Sequence, residues 1–166
     1  SHPLYRRLAP ALSVFERRRH RPHPELTRDE VDVVVLGVGR HGSRLAEGFT
    51  AEGLRVLAVD HDPEVLRRAE RAGLPTLYGD AGDPELALAL PTARCVAVTI
   101  PPRDVVLALL PGLHGARHSG AVAAVAHSTA DAQLFAEAGI DIVLEPCRTA
   151  AQSSTRAILD RIGPPA

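Results

Sequence analysis

Residues 33–60 read VVVLGVGRHGSRLAEGFTAEGLRVLAVD, and this stretch decides the fold. An apolar run, Val33 to Leu36, meets Gly37-x-Gly39-x-x-Gly42. A helical pattern follows, and a second apolar run, Val56 to Val59, ends in Asp60. Strand, glycine turn, helix, strand and terminal acid in this order describe a βαβ unit of the dinucleotide-binding kind. Each part has a mechanical task. Gly37 permits the tight turn, Gly39 lets backbone N–H groups approach a phosphate, and Gly42 lets the helix pack close to the strand. The helix N-terminus adds unpaired N–H donors and a positive partial charge. Asp60, eighteen residues beyond Gly42, is placed to accept hydrogen bonds from ribose hydroxyls. The alternative on the same residues is a glycine turn in an α/β fold that holds no ligand, with Asp60 no more than an exposed strand end.

The 166 residues suit one domain with short extensions and a core of useful size. A formal net charge of −1 gives no bulk field to attract nucleic acid. With two tyrosines and no tryptophan, stacking surfaces for bases are poor. No stretch approaches the roughly 20 apolar residues of a membrane span, and no secretory signal opens the chain. Cys95 and Cys147 form no CxxC and read as reduced cytosolic thiols. All 19 basic residues are arginine, which removes the Walker lysine, the Schiff-base lysine and the Tyr-x-x-x-Lys pair. The absence of methionine predicts a piece of a longer protein, with Ser1-His2 reading as a tag remnant.

Leu4, Leu8, Leu12 and Phe15 repeat at helical spacing and predict an N-terminal linker helix over 4–18. The run Glu16-Arg17-Arg18-Arg19-His20-Arg21 follows, with Pro22 and Pro24 as breakers. Two readings stand for it: a solvated linker, or a juxtamembrane segment on the cytoplasmic side of a membrane domain. From Val31 onward strands are expected near 32–37, 55–59, 75–78, 94–100, 121–126 and 141–144. Helices are expected near 41–52, 63–72, 83–89, 102–115, 129–138 and 149–161. Pro63, Asp83-Pro84 and Thr129 mark helix starts, and Gly53, Gly73 and Gly139 mark stops. Nearly continuous apolar strands such as Ala121 to Val125 suit a parallel sheet covered on both faces. The fold class is therefore α/β, a Rossmann-like, doubly wound, six-stranded parallel sheet. Residues 1–30 form the linker and 31–162 the nucleotide-binding domain.

Arg40, inside the glycine turn, is either a phosphate partner or a solvent-facing arginine. His61 and Asp62, not an arginine, follow Asp60. A 2′-phosphate would face two carboxylates, so NADP is disfavoured against NAD(H) or an adenosine nucleotide. Tyr78-Gly79-Asp80-Ala81 and Thr99-Ile100-Pro101 close the third and fourth strands at the carboxyl edge of the sheet, where such folds bind ligands. Asp80 there either contacts the adenosine half or only shapes a turn. Among eight histidines, His114 and His118 lie four apart with Gly115 between them and no acidic ligand beside them. No metal site is expected. No Gly-x-Ser-x-Gly, HExxH or cysteine–histidine pattern supports catalysis, and no catalytic residue is assigned.

Five segments together resemble the KTN domain, the N-terminal (TrkA-N) subdomain of regulator-of-K+-conductance (RCK) proteins. They are Gly-Val-Gly-Arg-His-Gly at 37–42, Ala-Val-Asp-His-Asp at 58–62, Leu-Tyr-Gly-Asp-Ala-Gly-Asp at 77–83, Cys-Val-Ala-Val-Thr-Ile at 95–100, and Ala-Gly-Ile-Asp-Ile-Val-Leu-Glu-Pro at 138–146. Arginine within the turn, and the Leu4-to-Arg19 segment before it, look most like the cytosolic domain of Kef-type monovalent cation:proton antiporters. Pro101-Pro102 stand where polar residues often follow strand four. The resemblance implies a ligand-gated, non-enzymatic regulator on the cytoplasmic face of the cell membrane. It would be joined to a membrane transport domain of the same polypeptide, paired as a homodimer, and would bind NAD(H), AMP, ADP or ATP. It implies that Gly37, Gly39, Arg40 and Gly42 hold phosphate, Asp60 holds ribose, Asp80 and Ala81 line the adenine side, and Thr99 faces the ligand's inner end. Val38, His41, His61 and Ile100 complete the candidate set. Ile158, Leu159 and Ile162 of the last helix would pack on a partner subunit, or else on the domain's own sheet. The competing readings are an NAD-dependent dehydrogenase fragment and a ligand-free dimerisation scaffold.

Overall fold

The computed structural model describes residues 31–83, 85–115 and 120–163. The linker helix expected over 4–18, the basic run, Pro84 and His118 lie outside the described residues. Six strands form one all-parallel sheet: β1 (Val33–Leu36), β2 (Val56–Asp60), β3 (Thr76–Tyr78), β4 (Cys95–Val98), β5 (Ala121–Val125) and β6 (Ile142–Leu144). Their spatial order is β3-β2-β1-β4-β5-β6. The doubly wound Rossmann-like sheet expected from the apolar runs is therefore what forms. The order reverses between β1 and β4, which pair from Val33↔Cys95 to Leu36↔Val98. A crevice opens at that reversal, outside the carboxyl ends of the strands.

The helices alternate with the strands: α1 (Arg40–Ala51), α2 (Pro63–Arg71), α3 (Leu86–Ala89), α4 (Arg103–Gly115), α5 (Thr129–Glu137) and α6 (Pro146–Ile162). Because successive strand side chains point to opposite faces, the apolar runs feed two cores. Val34, Leu36, Leu57, Val59, Val96 and Val98 meet Leu109, Leu113 and Phe135 from α4 and α5. On the other face, Val33, Val35, Val56 and Ala58 meet Ala46 of α1 and Leu66 and Ala69 of α2. Strands buried on both faces have no polar side to show, which is why they read as runs and not alternations.

Local chemistry sets the helix ends. Asp62 caps α2 by accepting from the Glu64 N–H at 2.8 Å, ahead of Pro63 in the first turn. Gly53, Gly73 and Gly139 follow α1, α2 and α5 at φ +80, +83 and +85°, the left-handed geometry that releases the chain after a helix. Two boundaries differ from the sequence expectation. The segment expected to be helical over 83–89 is helical only from Leu86, because Asp83 turns back to accept the Glu85 N–H. The last helix begins at Pro146 and not near 149, since proline fits the first helical turn, where its missing N–H costs nothing. No residue of α6 is buried, so it does not pack on its own sheet.

Cys95 begins β4, packs against the α1–α2 core, and has its thiol pKa raised above the usual value, mainly by burial. Cys147 is exposed near the start of α6. A maleimide or iodoacetamide time course at pH 8 is therefore expected to label Cys147 quickly and Cys95 more slowly, with denaturant removing the difference. Equal labelling rates for the two thiols in the folded protein would contradict this packing.

Candidate functional site

The site is built where β1 turns into α1 at the crevice between β1 and β4. Gly37 adopts φ +85°, and a Cβ there would lie 2.8 Å from Ile100 Cγ2. Gly37 N–H donates to the Val59 carbonyl at 2.8 Å, and the Thr99 hydroxyl donates to the Gly37 carbonyl. A Cβ at Gly42 would overlap that same carbonyl oxygen. Gly39 differs: nothing lies within 4 Å of where its Cβ would point, so the turn presents open space there. Gly39 is also the N-cap of α1. No side chain caps the helix, and no acidic residue occupies its first turn. Arg40 is exposed and its guanidinium forms no ion pair among the described residues. Uncapped N–H donors, a free cation and a bare approach suit a phosphate or another anion.

Asp60, at the end of β2, holds the turn from the other side. Its Oδ2 accepts the Val38 N–H at 2.9 Å and its Oδ1 accepts the Asp62 N–H at 2.9 Å. His61 Nδ1 lies 3.5 Å from Oδ1. A carboxylate has about four acceptor positions, so two bonds leave capacity for ribose hydroxyls. Val38 has a buried side chain, and its N–H is committed to Asp60. Any phosphate must therefore be met by the N–H groups from Gly39 onward.

The remaining candidates divide. Thr99 is nearly buried, with its hydroxyl spent on Gly37, and Ile100 is half-buried against the core. Asp80 is exposed; its Oδ1 accepts the Gly82 N–H at 2.8 Å, so it shapes its own turn, while Ala81 packs on the core. His41 is partly buried, and its Nε2 is enclosed without a hydrogen-bond partner among the described residues. The structure thus gathers Gly37 to Gly42, Asp60, His61, Thr99 and Ile100 around one turn, with Asp80 and Ala81 after the neighbouring strand β3. Among the described residues, no group of three or more His, Cys, Asp or Glu side chains is placed to hold a metal.

A family model described as the TrkA-N domain matches residues 33–146, from the first residue of β1 to the first of α6. The chain belongs to the TrkA-N family. Among relatives of this TrkA-N domain, the glutathione-regulated potassium-efflux system protein KefC of Escherichia fergusonii is 30% identical over 79 residues, which are 43% of this chain and 13% of that protein. The matched part thus spans a small fraction of the curated relative's length. The Kef CTD of Shewanella denitrificans in AMP-bound form superposes with a TM-score of 0.68 at 21% identity, covering 80% of this chain and 82% of that one. The NAD(P)-binding domain of an exopolyphosphatase-related protein from Archaeoglobus fulgidus gives 0.69 at 23% identity, covering 78% and 98%. At these identities the structural matches establish the fold of the TrkA-N domain.

Two contributions to the site were not legible from the motif. One is the double anchoring of the turn by Asp60, whose bond to Val38 spans 22 residues and carries no sequence signal. The other is the ion pair from Arg103 Nη1 to Asp131 Oδ1 at 3.5 Å, which links the starts of α4 and α5 just beyond β4 and β5. Only the fold brings those two residues together.

The glycines give a direct test by chemical denaturation. Gly42→Ala sets a side chain against backbone and is expected to lower stability by about 2–4 kcal/mol, as other forced overlaps do. Gly39→Ala enters open space and is expected to cost about 1 kcal/mol or less, through a weaker N-cap. Equal losses at both positions would contradict the geometry.

Proposed function

We propose that this chain is the nucleotide-sensing regulatory domain of a monovalent cation:proton antiporter, potassium being the favoured ion. The observation that carries the reading is the pairing of an open, uncapped turn at Gly39 with a carboxylate, Asp60, fixed at its rim. Phosphate at the α1 N-terminus and ribose on Asp60 make one continuous ligand, an adenine nucleotide or NAD(H). Asp60 and Asp62 together favour a free 2′-hydroxyl over a 2′-phosphate. Similarity to KefC supports the transporter context and a position on the cytoplasmic face of the membrane, and the AMP-bound form of the Kef CTD supports the ligand class.

Within that reading each side chain binds or orients. Arg40 neutralises phosphate charge, Asp60 accepts from ribose, and Thr99 and Gly42 keep the turn in its binding shape. His41, His61, Asp80, Ala81 and Ile100 border the ligand, with Asp80 and Ala81 on the adenine side. No residue here is assigned a chemical step, so the domain acts as a sensor and not as a dehydrogenase. A ligand shifts transport only through its different affinity for two arrangements of the assembly. Ile158, Leu159 and Ile162 on α6 are all exposed, at 58, 45 and 71%, and support pairing of two copies through that helix.

Thermal unfolding against AMP, ADP, ATP, NAD+, NADH and NADPH tests the site. A binding nucleotide at 100 times its Kd is expected to stabilise the fold by about 2.7 kcal/mol, with NADPH weaker than NADH. Arg40→Gln and Asp60→Asn are expected to reduce that gain; asparagine keeps one acceptor for the turn. Absence of stabilisation by every nucleotide would overturn the proposal. For the assembly, Leu159→Asp with Ile162→Asp is expected to move the protein from dimer to monomer in sedimentation, with an unchanged fold.

A further inference from the structure

Three helices start at the carboxyl edge around the reversal of strand order, and they differ in what they offer an anion. Helix α1 starts without a side-chain cap and without an acid in its first turn, and the exposed Arg40 stands in that turn. Helix α4, across the crevice, carries Asp104 in its first turn. Helix α5 is capped by Ser128, whose hydroxyl oxygen accepts the Asp131 N–H at 3.1 Å and donates to Asp131 Oδ2 at 2.7 Å. The positive end of a helix attracts a phosphate best where no carboxylate already occupies it. Phosphate is therefore held on the α1 side of the crevice.

The turn from β4 into α4 faces the other half of any dinucleotide, and its polar groups are largely committed. Thr99 N–H donates to the Leu36 carbonyl at 2.9 Å, and the Thr99 hydroxyl donates to the Gly37 carbonyl. Pro101 and Pro102 have no N–H to donate. Ile100 N–H is the one backbone donor left before α4, and it lies against the glycine turn. A Cβ at Gly37 would stand 3.3 Å from that nitrogen and 2.8 Å from Ile100 Cγ2. Arg103 is matched by two carboxylates, Nε to Asp104 Oδ1 at 3.6 Å and Nη1 to Asp131 Oδ1 at 3.5 Å. His127 and Thr129, exposed after β5, are the remaining polar side chains of these turns. Two strand spacings, about 10 Å, separate β5 from β1.

We propose that the site, resting on the nucleotide reading above, grips the AMP moiety alone and leaves a nicotinamide half without a protein contact of its own. The domain then senses adenylate and is blind to the oxidation state of NAD. Telling NAD+ from NADH requires a group that reads the positive charge of the ring or its carboxamide. The turn after β4 presents two prolines and an aliphatic side chain there instead. The Arg103 cluster, one cation with two carboxylates, lies at the surface, where such charges shift an affinity by no more than about fivefold. AMP loses nothing against the dinucleotide, because its terminal phosphate brings a second charge and three acceptor oxygens to the open start of α1.

Isothermal titration of the full 166-residue chain with AMP, NAD+ and NADH, together with saturation-transfer NMR of bound NADH, tests this. NAD+ and NADH are expected to have Kd values within about fivefold of each other, with AMP at least as tight as either. Saturation is expected at adenine H2 and H8 and absent from the nicotinamide ring protons. His127→Ala is expected to leave all three affinities unchanged, and Asp60→Asn to weaken all three alike. Binding of AMP with neither dinucleotide bound would support the same ligand class. A wider gap between NAD+ and NADH, saturation of the nicotinamide protons, a dinucleotide tighter than AMP, or a loss of NADH affinity in His127→Ala would each overturn the proposal while leaving the nucleotide site in place. Absence of AMP binding would instead overturn the nucleotide reading, and this one with it.

Discussion

The carbonyl of Gly37 is the point on which the molecule turns. It accepts the Thr99 hydroxyl from the end of β4 and touches the α1 backbone at Gly42, where no side chain fits. Strand β1, helix α1 and strand β4 are thereby locked at one atom, although Thr99 is 62 residues away in sequence. The Thr99 N–H to Leu36 carbonyl bond, 2.9 Å, extends the β1–β4 ladder up to that atom. Because β1 and β4 flank the reversal of strand order, fixing their junction also fixes the crevice. The open face of Gly39 is the complement of this crowding. The same short turn has one glycine required by contact and another that leaves the approach clear.

Asp60 has two roles that a linear motif shows as one. Its position after an apolar run suggests a ligand contact, and its free acceptor capacity is consistent with that. Its measurable bonds, however, run to Val38 and Asp62 within the protein. The carboxylate thus ties the turn after β1 to the turn after β2. Replacing it with alanine would remove a ligand contact and a structural tie together, which is why asparagine separates the two better.

Much of the architecture was legible because its signals are local. Doubly buried strands write continuous runs such as Val56 to Val59, and helices after them end in glycines with positive φ. What stayed hidden depends on register or on absent contacts. Asp32, Arg55 and Arg94 look like scattered surface charges until parallel pairing of β1 with β2 and β4 aligns their strand starts. The last helix opens at Pro146, ahead of the expected start near 149, because the first turn is the one place where a proline ring fits. Asp80 looked equally suited to a ligand and to a turn; its bond to Gly82 fills the second role and leaves the first as a proposal.

The bare surface of α6 has a thermodynamic consequence. Seventeen residues give a rod about 25 Å long, yet no side chain along it is buried by its own domain. Helices in water gain little from propensity alone and rely on packing to overcome nucleation and backbone entropy. The coil-to-helix equilibrium of this segment is therefore only weakly linked to the folding of the sheet. Its order depends on whatever surface it lies against, and the free energy of that association includes the segment's own ordering. A contact with such a helix is weaker than its apolar area suggests and correspondingly easier to reverse.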